Sequence, residues 1–309
     1  GIGDADDNCP DTANPEQADC DADGLGDACD PGLISPAIVH VALRRGESTT
    51  LTTRVCLPPS PPKVDMLLAI DLTGSMGGEL AAMKQNLKTF AARVRQLAPD
   101  SDIRFAVASY MDYPASYSAC GYSNTYGSGF DYPFRVDAPF GTPDLGVIAA
   151  VDGLVMGYGN DAPESYTRFV WELSQPGSGL GFRPGARRVV VNACDDLPHD
   201  CDLREGLTGC STPTSTGRDP GRDGLMNTTD DIDFHQDALV PLESRDTRLF
   251  TLYSGSSFCG WQRWSEGTGG AAIQANGNGQ LPPGTDLGAL ILDLVADPVV
   301  QEVRLTPDD

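Results

Sequence analysis

Val64-Asp-Met-Leu-Leu-Ala-Ile70 runs directly into Asp71-Leu-Thr-Gly-Ser75-Met76. The first segment is apolar except for Asp65 and has the length of a strand buried on both faces. A helix-like stretch, Glu79 to Leu97, follows the second. A buried strand ending in Asp-x-Thr-x-Ser and opening into a helix places one carboxylate and two hydroxyls on one loop. These are hard oxygen ligands, suited to Mg²⁺ or Mn²⁺. The pattern D-x-[ST]-x-S is short, and its position behind an apolar strand is what gives it weight.

Strand and helix alternate outward from this segment. Strands are expected at 64–70, 102–109, 187–193 and 247–253, and helices at 79–97, 143–156, 164–174, 232–243 and 286–296. That alternation predicts an α/β domain with a doubly wound, mostly parallel sheet and helices on both faces. Residues 113–140 are rich in Tyr, Gly, Ser and Pro without a period, and read as a long loop of a kind that often carries function. In such sheets ligands bind outside the carboxyl ends of the strands. Three segments deliver acids there beside the Asp71 loop: Ser109-Tyr-Met-Asp112-Tyr-Pro114, Gly159-Asn-Asp161-Ala-Pro163-Glu164, and the strand Arg187–Cys194 ending in Asp195-Asp196.

The chain has 309 residues and a net charge of −23. This argues against nucleic acid or an anionic membrane surface as a partner and favours divalent cations. Nine cysteines with only three histidines, and no CxxC pair, read as disulfides of an oxidising compartment, with one thiol left over. No apolar run reaches the length of a membrane span, so direct membrane insertion is not expected. The chain reads as a piece of a larger secreted or cell-surface protein. Residues 1–30 hold nine Asp and one Glu without Lys or Arg. A solvated acidic tail is the plain reading. The alternation Asp19-Cys-Asp21-Ala-Asp23-Gly24, followed by Asp27 and Asp30, is instead how an oxygen cage is wrapped around Ca²⁺.

That amino-terminal segment resembles a thrombospondin type 3 calcium repeat, with Asn8-Cys9-Pro10, Asn14-Pro15 and Gln17 fitting its linker. The resemblance implies calcium bound by Asp19, Asp21, Asp23, Asp27 and Asp30, and a second, truncated site at Asp4, Asp7 and Asn8. It departs from the repeat in having Asp6 where Cys is usual and Cys20 where Ser is common; a Cys9–Cys20 pairing would repair this.

The larger part resembles von Willebrand factor A domains and, more narrowly, the I-like domain of integrin β subunits. The order DLTGSM, YMDYP, NDAPE and VVVNACDD–PH matches that family's metal-site segments, and DAPE is the most specific of them. The implied domains are 1–30 calcium repeat, 31–63 hybrid-like strands with a Pro-rich linker, 64–297 the A domain, and 298–309 a return strand. Strand-like runs at 38–43 and 49–55 belong to the second of these. The resemblance implies an adhesion-site cation, Mg²⁺ or Mn²⁺, held by Asp71, Thr73, Ser75 and Glu164 with Asp195 behind them. It implies an adjacent Ca²⁺ at Asp112, Asp161, the Pro163 carbonyl and Glu164, where Gly159 replaces the family's Asn. Only Glu79 remains of the family's third site.

The implied function is a non-enzymatic, extracellular adhesion or ligand-binding module whose metal takes an exposed Asp or Glu of a partner protein. A structural spacer stabilised by calcium is the alternative, and hydrolysis of phosphate esters ranks last because no Lys/Arg clamp accompanies the motifs. Plainer roles stand beside these. Asp71 and Asp195 also suit helix N-caps. Asp196 reads as a solvated neighbour, His199 as a surface-loop histidine, and Trp261 and Trp264 as packing residues. Tyr110, Tyr113, Tyr117, Tyr122, Tyr126 and Tyr132 suit either an aromatic rim or loop packing.

Overall fold

A computed structural model describes residues 63–99 and 101–296, and before them residues 7–10, 14, 17–19, 24–26, 29, 34–35, 41, 44 and 54–55. The chain divides into two compact units, Ser60–Asp297 and the remainder. In the smaller unit Cys9 is bonded to Cys29, not to Cys20. Asp7 Oδ1 accepts from the Cys9 N–H (2.9 Å) and from Gln17 Nε2 (2.8 Å), and Asp19 Oδ2 accepts from the Gly24 N–H at 3.1 Å. Two short strands, β1 (Ile34–Ser35) and β2 (Arg54–Val55), pair antiparallel. Asp4, Asp21, Asp23, Asp27 and Asp30 lie outside the described residues, as do the Pro58–Pro62 linker, the 298–309 strand and most of the 38–43 and 49–55 runs.

The larger unit begins with β3 (Val64–Asp71), a 3₁₀ turn (Gly74–Gly78), α1 (Leu80–Leu97) and β4 (Ile103–Tyr110). A hairpin of β5 (Ser116–Ala119) and β6 (Tyr122–Thr125) follows, then β7 (Arg135–Ala138), α2 (Asp144–Gly153), α3 (Tyr166–Glu172) and β8 (Arg187–Cys194). A π-helical turn (Phe234–Leu239) runs into α4 (Val240–Glu243), followed by β9 (Thr247–Tyr253), α5 (Phe258–Gly267), β10 (Ala271–Gln274) and α6 (Leu287–Ala296). One six-stranded sheet has the order β10-β9-β8-β3-β4-β7, parallel except for the antiparallel edge β7.

Side-chain alternation fixes β3 at the centre. Met66, Leu68 and Ile70 enter one core with α1, α2 and α6, while Leu67 and Ala69 enter the other with α3, α4 and α5. Burying each large aliphatic side chain contributes roughly 1.5–3 kcal/mol, so this strand has no place at an edge. In α1 the residues Met83, Leu87, Phe90, Ala91 and Val94 recur at helical spacing and cover the first core. Asp65, the exception in the run, is fully buried. Its carboxylate is clamped by Arg104 (Nε–Oδ1 3.0 Å, Nη2–Oδ2 2.9 Å) and by Arg183 (Nε–Oδ1 2.9 Å).

The four expected strands stand within a residue of their places. The segment 113–140 is not a loop: it holds the hairpin and β7, whose hydrogen bonds are made to one another and to β4. Helix α5 and strand β10 were not expected. Trp261 is fully buried within α5 and its indole N–H donates to the Asp196 carbonyl at 2.7 Å. No helix among the described residues is long and apolar enough to cross a membrane.

Candidate metal centre

The chain crosses from β3 to β4 on one side and returns to β8 on the other, so the strand order reverses at β3. A crevice opens at such a point beyond the carboxyl ends of the strands. Asp71 ends β3, Asp112 lies two residues past β4, and Asp195 directly follows β8. The parallel register Asp71↔Tyr110 and Ile70↔Ala193 brings these three ends level.

Asp71 is fully buried. Its Oδ1 accepts from the Thr73 N–H (2.8 Å) and the Thr73 hydroxyl (2.7 Å), and its Oδ2 accepts from the Tyr166 hydroxyl. The Thr73 hydroxyl lies 3.2 Å from that of Ser75, which donates to Asp195 Oδ1 at 3.2 Å. The four residues thus form one continuous polar chain, from buried Asp71 to exposed Ser75 and half-exposed Asp195. Glu164 is held against this chain by the Gly159 turn. Gly159 has φ +61°, and a Cβ there would sit 3.1 Å from both Glu164 Oε1 and Thr73 Cβ. The position therefore suits glycine and leaves no room for the Asn side chain that the resemblance implies there; Asn160 beside it is exposed. Asp131, which the sequence did not mark, secures the turn by accepting from the N–H groups of Tyr158 (2.9 Å) and Gly159 (3.2 Å).

A second cluster adjoins the first. Asp112 Oδ1 accepts from the Tyr113 N–H (2.9 Å) and the Ser165 hydroxyl (2.7 Å). Asp161 Oδ2 accepts from the Tyr122 hydroxyl at 2.8 Å. His199 is fully buried rather than on the surface. Its ring stacks on Tyr126 with centroids 3.7 Å apart, and its Nδ1 lies 2.7 Å from the Thr216 carbonyl. The Pro198 and Glu164 backbones bridge in parallel, and the His199 N–H donates to the Glu164 carbonyl at 3.3 Å, so the two loops are stitched together. Pro163 is buried at this junction.

Burial dominates the electrostatics. It pushes the carboxyls of Asp71, Asp112, Glu164 and Asp195 above the usual carboxylate range, and neighbouring acids push Asp71 and Glu164 further. Asp161 rises to about 7, again through burial, with His199 opposing. The main influences on these five carboxylates include no arginine or lysine. Glu164 Oε2, Asp112 Oδ2, Asp161 Oδ1 and His199 Nε2 are buried without a hydrogen-bond partner. Buried polar atoms left in this state are costly unless a proton, a water or a cation meets them.

The remaining expected residues sort clearly. Glu79 is nearly buried and accepts from the Ser254 hydroxyl; burial raises its carboxyl, and Asp195 adds to the rise. Asp196 is half-buried rather than solvated, and its Oδ1 accepts from the Leu197 N–H at 2.7 Å. Tyr110, Tyr113 and Tyr126 are buried packing residues, not a rim. The residues exposed beside the Asp71 loop are Met156 and Tyr158; the Tyr158 carbonyl accepts from the Gly74 N–H. Cys120–Cys201 and Cys210–Cys259 are disulfides, and Cys194 is a buried thiol. The disulfides fit an oxidising compartment.

The chain matches no protein-family model and no curated protein sequence.

Proposed function

We propose that the chain is an extracellular, metal-dependent adhesion or ligand-binding module of von Willebrand factor A type. The observation that carries this reading is the buried Asp71, joined through Thr73 and Ser75 to Asp195 at the switch point of the sheet, without a cationic side chain. The donor set fits a hard dication: Asp71, Thr73, Ser75, Glu164 and Asp195 offer oxygen only, and Glu164 Oε2 is orphaned. Asp71, Thr73 and Ser75 would hold Mg²⁺ or Mn²⁺, with Glu164 and Asp195 completing its surroundings. The cation supplies the positive charge that a partner's Asp or Glu carboxylate requires. Exposed Ser75 leaves that side open, and Tyr158, 62 % exposed, with Met156 beside the loop, offers apolar contact for the rest of the partner. The module is read as a binder, not an enzyme, and the amino-terminal repeat as its calcium-stabilised neighbour.

The alternative is a structural spacer whose ions serve stability alone. It is favoured by the full burial of Asp112 and His199, which withdraws those two groups from direct contact with a partner. Calorimetric titration of chelated protein with Ca²⁺ and then Mg²⁺ separates the two, with Asp71→Ala alongside and near-ultraviolet dichroism as the check on folding. The adhesion reading expects a Mg²⁺ event lost only in the variant, and binding of an Asp-containing peptide lost with it. If both proteins take up the same ions, the Asp71 loop is not a metal site.

A further inference from the structure

The adjoining cluster differs in chemistry from the Asp71 loop. Asp112 Oδ2, Asp161 Oδ1 and His199 Nε2 converge so that all three lie within 4.8 Å of one another, with His199 Nε2 and Asp112 Oδ2 at 3.5 Å. Ligand atoms at about 2.0–2.2 Å from one ion stand roughly 3–4 Å apart, so the His199–Asp112 pair at 3.5 Å already has that spacing and Asp161 Oδ1 lies close enough to join it. Each of the three side chains is anchored through one polar atom and offers the other. The Tyr113 N–H and the Ser165 hydroxyl occupy Asp112 Oδ1, and the Tyr122 hydroxyl occupies Asp161 Oδ2. The Thr216 carbonyl only accepts, so His199 Nδ1 carries the proton facing it. In the neutral ring the lone pair on Nε2 then points at the two carboxylates. An imidazole N–H on a backbone carbonyl is the arrangement that fixes tautomer and ring plane in histidine metal ligands. All three offered atoms are buried and unpartnered, and Asp112 and His199 are fully buried.

The ring has little freedom. Tyr126 stacks on it at 4° between planes. Gly217, at φ +102°, lies so close that a Cβ there would come within 2.3 Å of the Tyr126 hydroxyl and 3.3 Å of His199 Nδ1. An imidazole nitrogen is a poor ligand for Ca²⁺ or Mg²⁺ and a good one for Zn²⁺, Co²⁺ and their neighbours.

We propose that Asp112, Asp161 and His199 form a nitrogen-containing metal site that takes a first-row transition-metal dication, not the calcium expected there. The site is distinct from the Asp71 loop, and the inference holds whether or not that loop binds an adhesive cation. The competing arrangement is a metal-free imidazolium paired with Asp112.

The test uses the full chain, stripped with chelator and then kept in millimolar Ca²⁺ and Mg²⁺ so that oxygen-only sites are filled. Zn²⁺ is titrated calorimetrically, and Co²⁺ is followed by its visible absorption. The wild type should take up one tight equivalent of Zn²⁺ and give a Co²⁺ spectrum. His199→Gln should weaken this by about 100-fold or more, beyond the 10–100-fold typical of lost outer contacts. Asp71→Ala should retain it, and Asp161→Asn, at a half-exposed position, provides a milder ligand deletion that should also weaken it. Should His199→Gln not fold, X-ray absorption at the zinc edge of the wild type decides: imidazole scattering supports the site, and an oxygen-only shell overturns it. Absence of tight Zn²⁺ uptake in the wild type, or equal uptake by a folded His199→Gln, also overturns it.

Discussion

Asp65 and Asp71 stand on the same strand, six residues apart and so roughly 20 Å from each other, and both are fully buried. Asp65 meets two arginine forks. Asp71 meets a threonine, a tyrosine and another carboxylate, and burial drives its carboxyl up. Glu172 repeats the first solution, with Arg168 at 2.7 Å and Arg222 at 2.6 Å. The chain therefore pairs Asp65 and Glu172 with arginines and leaves Asp71, at the carboxyl edge, without one. That edge is where an external cation would act on the proposal above.

The sharpest way to break this contrast is Asp65→Ala. It strands two arginines and should cost about 3–5 kcal/mol in urea unfolding, with or without divalent cations. Cation addition should act at the other edge. At a hundred times its dissociation constant, each ion bound only by the folded chain should add about 2.7 kcal/mol, read as a rise in unfolding midpoint that Asp71→Ala reduces and Asp65→Ala does not.

The pH response should split the two regions by sign. Asp161 is raised from 3.8 to about 7, so in chelator the folded chain keeps a proton that the unfolded chain has lost. Its contribution to stability is therefore present below about pH 4 and is lost as pH rises toward 7. For Glu172, burial alone would raise the carboxyl, but Arg222 and Arg168 outweigh it and hold it below 4.5. Its contribution is present above that value and is lost on acidification. Unfolding midpoints of chelated protein at pH 5, 6, 7 and 8, compared with Asp161→Asn, should show the decline flattened in the variant. A decline of equal slope in both would remove Asp161 from the account.

Asp71→Asn should do least to the metal-free fold, within about 1 kcal/mol, since an amide oxygen can still accept from Thr73. Its larger effect should be on cation uptake.

Much of the sheet was legible because β3, β4, β8 and β9 are buried apolar runs of strand length, and burial on both faces writes itself into composition. The acids at their ends followed from position alone. The strand β7 escaped because it is short, only partly buried and defined by its bonds to β4, not by its own pattern. Helix α5 escaped because Trp261 and Trp264 were read as packing residues without a helix to carry them. His199 escaped for a related reason. Nothing in Leu197-Pro-His-Asp-Cys201 announces that Tyr126 will stack on the ring or that Thr216 will orient it. Both contacts are long-range, and local sequence carries no record of them. Asp219, buried with its Oδ1 unpartnered, is hidden in the same way.

The hairpin that carries Tyr122 is bolted by Cys120–Cys201 to a point two residues past His199. Closure of this disulfide fastens together the segments that carry Tyr122 and His199, and with them two sides of the proposed site. Before the thiols meet an oxidant, the strand that orients Asp161 is tethered to the histidine loop by weak forces alone; afterwards it is fastened. On the proposal above, the oxidised chain should therefore hold a transition-metal ion more firmly than the same chain with this disulfide reduced.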